Sequence, residues 1–152
     1  MEHQSEILME HQIEILLDGK DLVLRPGDML RGGWRLNAAY ALPVKKAELF
    51  VLWFTEGLGD TDDGTLFHQV AVENAALDAG RAFPFETPLP PGPWTYDGKY
   101  VKIRWAVRVF ITPQSGKAFG AEERFQLLPR GRQGGAPMER NEPPEPQFGA
   151  TA

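Results

Sequence analysis

The chain contains no cysteine. That excludes disulfide staples and thiolate zinc sites, and it leaves the redox compartment open. Histidine is nearly as scarce: of three, two (His3 and His11) lie at the very start, so a Ser–His pair or a metal–histidine cluster is hard to assemble. Long apolar runs are missing as well. The longest, Leu49 to Phe54, is far short of the ~20 residues that span a bilayer. The opening residues carry Glu2 and lack the apolar core of a secretory signal. A soluble, cytoplasmic protein with no membrane span is therefore expected. Nor is there an excess of positive charge. Lys and Arg number 16 against 21 Asp and Glu, a net charge of -5, which argues against a nucleic-acid partner. The pair Arg130 and Arg132 is too brief to change that.

Known catalytic patterns are also absent. Gly92 to Lys99 superficially resembles a phosphate loop, but one residue too many separates the glycines, and Tyr100 stands where the metal-binding hydroxyl belongs. Gly57-x-Gly59 lacks the third glycine of a dinucleotide site. Ser115 sits in Gln-Ser-Gly, which is not a nucleophile elbow. The expectation is a non-catalytic protein without a cofactor.

What is present is a one-domain chain of 152 residues, 42% of them hydrophobic and 24% charged, an ordinary globular balance. Residues 1–8 and 9–16 are a tandem repeat that differs only at Ser5 and Ile13. The repeated histidines read either as a metal or recognition element or as the by-product of a short duplication. We divide the chain into a duplicated extension (1–8), a folded domain (9–128) and a disordered, proline- and glycine-rich tail (129–152).

Strand signals follow one another through the domain. Ile13, Ile15 and Leu17 alternate with polar or outward positions, and Asp18-Gly19 turns the chain. After the turn Arg25-Pro26-Gly27-Asp28, strands are expected at 29–36, 47–54, 65–74, 80–86, 100–111 and 119–128. In 47–54 both alternating faces are apolar, which predicts a central strand covered on both sides. In 100–111, Val101, Ile103, Trp105, Val107, Val109 and Ile111 share one face while Lys102, Arg104 and Arg108 share the other. His68 and Glu123 break apolar registers; each is either buried and paired or sits at a bulge or strand end, and a position near an end is the reading adopted for both. Short strands punctuated by turns predict an all-β, antiparallel two-sheet sandwich of about seven to eight strands, immunoglobulin-like in architecture.

The stretch from Phe83 to Tyr100 holds Pro84, Pro88, Pro90, Pro91 and Pro93. Proline removes amide donors and fixes φ, which excludes a helix and favours a stiff extended path. The segment reads as a crossover between sheets, with Leu89, Trp94 and Tyr96 pinning it down. Here the sequence resembles the arrestin family: Phe83-x-Phe85, Leu89-Pro90, a turn at Asp97-Gly98, and Val101-x-Ile103-x-Trp105-x-Val107-x-Val109 are similar to its strand, proline crossover and tryptophan-bearing strand. Arg25-Pro26-Gly27-Asp28 with Gly33 is similar to its early turn. The likeness covers about residues 10–128. It implies one arrestin-like sandwich, as in single-domain bacterial relatives, and a protein-binding or scaffolding role; arrestins pair two sandwiches, so their receptor and phosphate recognition is not carried over.

Candidate binding residues follow. Lys102, Arg104 and Arg108 form a basic stripe, either a solvated face with cross-strand partners such as Glu122, Glu73 or Glu48, or a surface for an acidic or phosphorylated peptide. Trp94 and Tyr96 either pack on the sandwich or present an aromatic platform. Glu56, Asp60, Asp62 and Asp63 crowd one loop. They read as an acidic hairpin tip or, with the aromatics, as a calcium-dependent lipid or carbohydrate site. The leading expectation is a protein or peptide partner bound by strand addition, with 12–17 the first edge to test. Phe148 in the tail is a candidate to fold back and block it.

Overall fold

The structure is a computed structural model that describes residues 12–19 and 22–130. The duplicated extension 1–8, His3, His11, and all of the tail past Arg130, Phe148 included, lie outside the described residues.

Among the described residues the chain forms nine strands and no helix: β1 (Gln12–Leu17), β2 (Val23–Leu24), β3 (Met29–Asn37), β4 (Leu42–Gly57), β5 (Asp63–Leu77), β6 (Phe83–Pro88), β7 (Tyr96–Asp97), β8 (Val101–Pro113) and β9 (Phe119–Leu127). A three-stranded sheet runs β1-β3-β6. It faces a larger sheet running β2-β9-β8-β4-β5, with β7 also paired to β8. Every pairing is antiparallel except the short β2–β9 contact. The two-sheet sandwich expected from alternation is the fold observed. β2 and β7 were not foreseen, since two residues cannot carry a period.

β8 and β4 supply the floor of the core. Their register sets Trp105 against Trp53, Val107 against Val51, Val109 against Leu49 and Ile111 against Ala47. Trp105, Val107, Val109 and Ile111 are all buried, and Leu30, Trp34 and Leu36 of β3 join the same cluster. Fully burying each of the aliphatic members contributes about 1.5–3 kcal/mol. Trp34 stacks on Phe83 at 4.8 Å between ring centres, which fastens β6 to β3.

The expected core face of β8 is too long at its start. Val101 is 36% exposed, because it opposes Gly57 at the end of β4, which has no side chain to cover it. Gly57 itself has φ 135°, and a Cβ there would meet the Tyr100 carbonyl oxygen.

The proline segment does cross between sheets, from β6 in one to β7 and β8 in the other. Of its expected anchors Leu89 holds, and Trp94 and Tyr96 do not. Leu89 is buried, its N–H donates to Asp28 O at 2.9 Å, and its carbonyl accepts from Gly27 N–H at 2.9 Å. Further along, Pro93 O accepts the Trp105 indole at 2.6 Å, and Thr95 N–H donates to Leu127 O at 2.7 Å. Trp94 and Tyr96, by contrast, are 47% and 54% exposed. Main-chain bonds and one leucine hold the crossover, so these rings are not needed as pins.

Candidate functional site

The outer face of the large sheet gathers the basic stripe. On that face Phe50, Leu52, Phe54 and Glu56 of β4 lie opposite Arg108, Ala106, Arg104 and Lys102 of β8. β9 then places Glu122 against Arg108 and Arg124 against Ala106. A charged ladder results. Glu122 Oε1 accepts from Arg108 at 2.8 Å, and Glu122 Oε2 accepts from Arg124 Nε at 2.8 Å. Glu56 takes Arg124 Nη2 at 3.5 Å and Arg104 Nε at 3.3 Å. Asp97 lies 3.6 Å from Arg104 and 3.7 Å from Lys102. The guanidiniums of Arg108 and Arg124 sit 5.4 Å and 5.2 Å from the Phe54 ring centre, a cation–π geometry.

The electrostatics follow from that contact list. Partial burial pushes the Glu122 carboxyl up, but hydrogen bonds from Arg124 and Arg108 and their charges outweigh it and hold the group below the usual carboxylate range. Arg124 is raised by its hydrogen bond to Glu122, against the opposing effect of burial.

Lys102, Arg104 and Arg108 thus share one face and each has an acidic partner. Of the partners expected, Glu122 is taken up, whereas Glu48 bonds His68 at 2.8 Å and Glu73 lies opposite Lys46. Arg124, Asp97 and the turn of Glu56 toward this ladder were missed. The alternation of Glu122 and Arg124 along β9 was the available signal. The apolar outer residues of β4 are covered by these long side chains and by His68, which stacks on Phe50 at 4.5 Å, rather than by another layer of strands.

The four carboxylates of the acidic loop do not converge. Glu56 serves the arginines, Asp62 Oδ1 accepts the Asp63 N–H at 2.9 Å, Asp63 begins β5, and Asp60 is exposed. Among the described residues, no group of three or more His, Cys, Asp or Glu is arranged to hold a metal ion.

His68 and Glu123 lie in mid-strand rather than near ends; His68 does sit between two bulges, whereas Glu123 is in regular register. β5 carries two register shifts against β4, which leave Leu66 and Ala71 without direct partners. Each shift reverses which parity faces inward, so His68 ends on the outer face. Glu123 opposes Val107 on β9 yet is exposed.

Sheet edges differ sharply in character. β6 is an edge, but Pro84 and Pro88 deprive it of donors. β5 is a long edge, kinked by its two bulges, a known protection against unwanted pairing. β9 is bordered by β2 only at Gln126 and Leu127, and its centre carries Glu122, Glu123 and Arg124. β1 has none of these devices. It pairs with β3 in unbroken register from Gln12↔Asn37 to Leu17↔Gly32, with Glu14 fixed by Arg35 at 2.8 Å. Hydrogen bonds from Arg35 and Asn37 lower the Glu14 pKa. The ladder bond from Asp18 N–H to Arg31 O sets the phase: alternate residues bond β3, so the main-chain groups of Ile13, Ile15 and Leu17 point away from β3.

No family model matches the chain, and no curated protein matches it. Among solved structures, it is similar to Spo0M, a sporulation control protein from Bacillus subtilis, with 18% identity and a TM-score of 0.59. The match covers 78% of this chain and 49% of the other, so this chain spans about half the length of that neighbour. At this identity the likeness concerns the fold, an arrestin-like β-sandwich.

Proposed function

We propose that this domain is a non-catalytic protein-binding module that takes up an extended peptide as an added strand along β1. The observation that supports it most is the contrast among edges: of the described edge strands longer than two residues, β1 alone has neither proline, bulge nor a run of charges. Three successive open positions, Ile13, Ile15 and Leu17, offer main-chain donors and acceptors at the spacing an incoming strand requires. Leu16 is exposed beside them and gives a partner side chain something apolar to touch. A regulatory role, by likeness to a neighbour named for sporulation control, belongs to the same proposal.

The test is selection of binding peptides from a displayed random library, followed by Ile15→Pro. Proline at that position removes an outward N–H but no bond to β3. Selected peptides should lose at least about tenfold in affinity, while the domain keeps its melting temperature to within a few degrees. Equal affinity for both proteins would dismiss strand addition at β1.

A further inference from the structure

β1 ends the small sheet, whose order is β1-β3-β6, and among the described residues no strand pairs with it on the side away from β3. The chain just before it carries a second version of the same strand. β1 begins Gln12-Ile13-Glu14-Ile15-Leu16, and residues 4–8 read Gln4-Ser5-Glu6-Ile7-Leu8. The two differ only at Ser5 and Ile13. Residues 1–11 lie outside the described part of the chain, so this first copy is tethered to the start of β1 through Met9, Glu10 and His11.

A strand on so short a tether can pair with β1 only as an antiparallel hairpin, because a parallel return needs about a dozen residues or more. Side-chain faces then restrict the register. In β1, Ile13, Ile15 and Leu17 pack against the core. Glu14 is held on the outer face by Arg35 at 2.8 Å, and Leu16 beside it is 55% exposed. The same alternation sets Ser5 and Ile7 of the first copy on one face, and Glu6 and Leu8 on the other. A slip of one residue would turn Glu6 toward the core. Pairing Ile7 with Ile13 would set Glu6 directly against Glu14, and like charges placed opposite are destabilising. Pairing His11 with Ile13 would leave Gln12 alone to make the turn, fewer than the two residues of the tightest common hairpin. One register avoids all three faults: Ile7 opposite Ile15, Ser5 opposite Leu17, and a turn over Glu10, His11 and Gln12. Its main-chain bonds use the groups of β1 that point away from β3.

We propose that the first copy of the repeat folds back along β1 as an internal strand and regulates access to it, with residues 4–8 holding the edge until a partner peptide displaces them. This regulation rests on strand addition at β1. Ser5 stands opposite Leu17, at the position where the second copy has Ile13. A hydroxymethyl group adds little apolar contact there, so the first copy is a weaker strand than a perfect duplicate. Held at the roughly millimolar effective concentration of a short tether, it covers the edge and still yields to a tighter ligand.

The experiment compares the full chain with three variants of it: Ile7→Pro, which removes a bonding N–H from the first copy and leaves the folded domain untouched, deletion of residues 1–8, and Ser5→Ile. Amide exchange is read at Ile13, Ile15 and Leu17. The probes are a synthetic peptide of residues 1–8 and a peptide selected from the displayed library on the chain lacking residues 1–8. In the full chain the three amides should exchange at least about threefold more slowly than in Ile7→Pro or the deletion, and Ser5→Ile should slow them further. The synthetic peptide, added at millimolar concentration to the deletion variant, should restore the protection. The selected peptide should bind the deletion variant about three- to tenfold more tightly than the full chain. Equal exchange in the full chain, Ile7→Pro and the deletion would overturn the internal strand; a selected peptide that still binds, and still fails on Ile15→Pro, would then leave strand addition standing without it. Slower exchange in the full chain with equal peptide affinity for both would overturn the regulation. Protection that grows with protein concentration would give the added strand to a second copy and overturn the fold-back.

Discussion

The indole N–H of Trp105 donates to the carbonyl oxygen of Pro93 at 2.6 Å, joining the floor of the large sheet to the middle of the proline crossover. Trp105 is buried, so the bond fixes where the rigid segment comes down. Trp105→Phe should cost about 1–3 kcal/mol, from the orphaned carbonyl and the lost volume. Trp94→Phe, at a half-exposed ring, should stay within about 0.5 kcal/mol. Urea unfolding of both variants measures the contrast, and equal losses would show that the crossover is held elsewhere.

Acid should weaken the charged ladder. Glu122 has a folded-state pKa below its unfolded value, so its contribution is fully present above the unfolded pKa. It is lost as pH falls from there through the folded pKa. Glu14 follows the same sign. Glu122→Gln should therefore be less stable than the parent at neutral pH, with the difference shrinking toward strongly acidic pH. Urea midpoints across that range check it; parallel curves would place no linkage at Glu122.

Gly32 governs how closely β1 seats on β3. A Cβ at this position would lie 2.5 Å from the Leu16 carbonyl oxygen and 3.1 Å from Leu17 Cα, and neither main-chain atom can give way cheaply. Gly32→Ala should loosen β1 and cost about 1–3 kcal/mol. Hydrogen exchange should quicken first at Glu14 and Leu16, whose amides bond β3. Unchanged exchange there would mean that the strand tolerates a side chain at its back.

Much of this fold is legible in the chain because period-two alternation fixes faces: Trp105, Val107, Val109 and Ile111 fall inside as their spacing requires. His68 stands out as a break in that rule, and a bulge is indeed beside it, but the bulges at Leu66 and Ala71, which invert parity, leave no glycine or proline mark to locate them. It overran at Val101 because burial depends on the opposing residue, here Gly57. The crossover was visible from its prolines, but its anchors are main-chain bonds, which no side-chain pattern records. Half of the charged ladder was readable from Arg104 and Arg108. Arg124 and Asp97 enter only once strand order puts β9 and β7 on one flank of β8. Which edge stays open is likewise a property of topology.

Residue-resolved amide exchange of the domain, free and bound to a selected peptide, is the most direct measurement of edge recognition. The ladder bonds to β3 should make Glu14 and Leu16 slow in both states, whereas Ile13, Ile15 and Leu17 should exchange freely alone and become protected in the complex. Protection confined to β5 or to the outer face of the large sheet, with those three amides still fast, would contradict strand addition at β1.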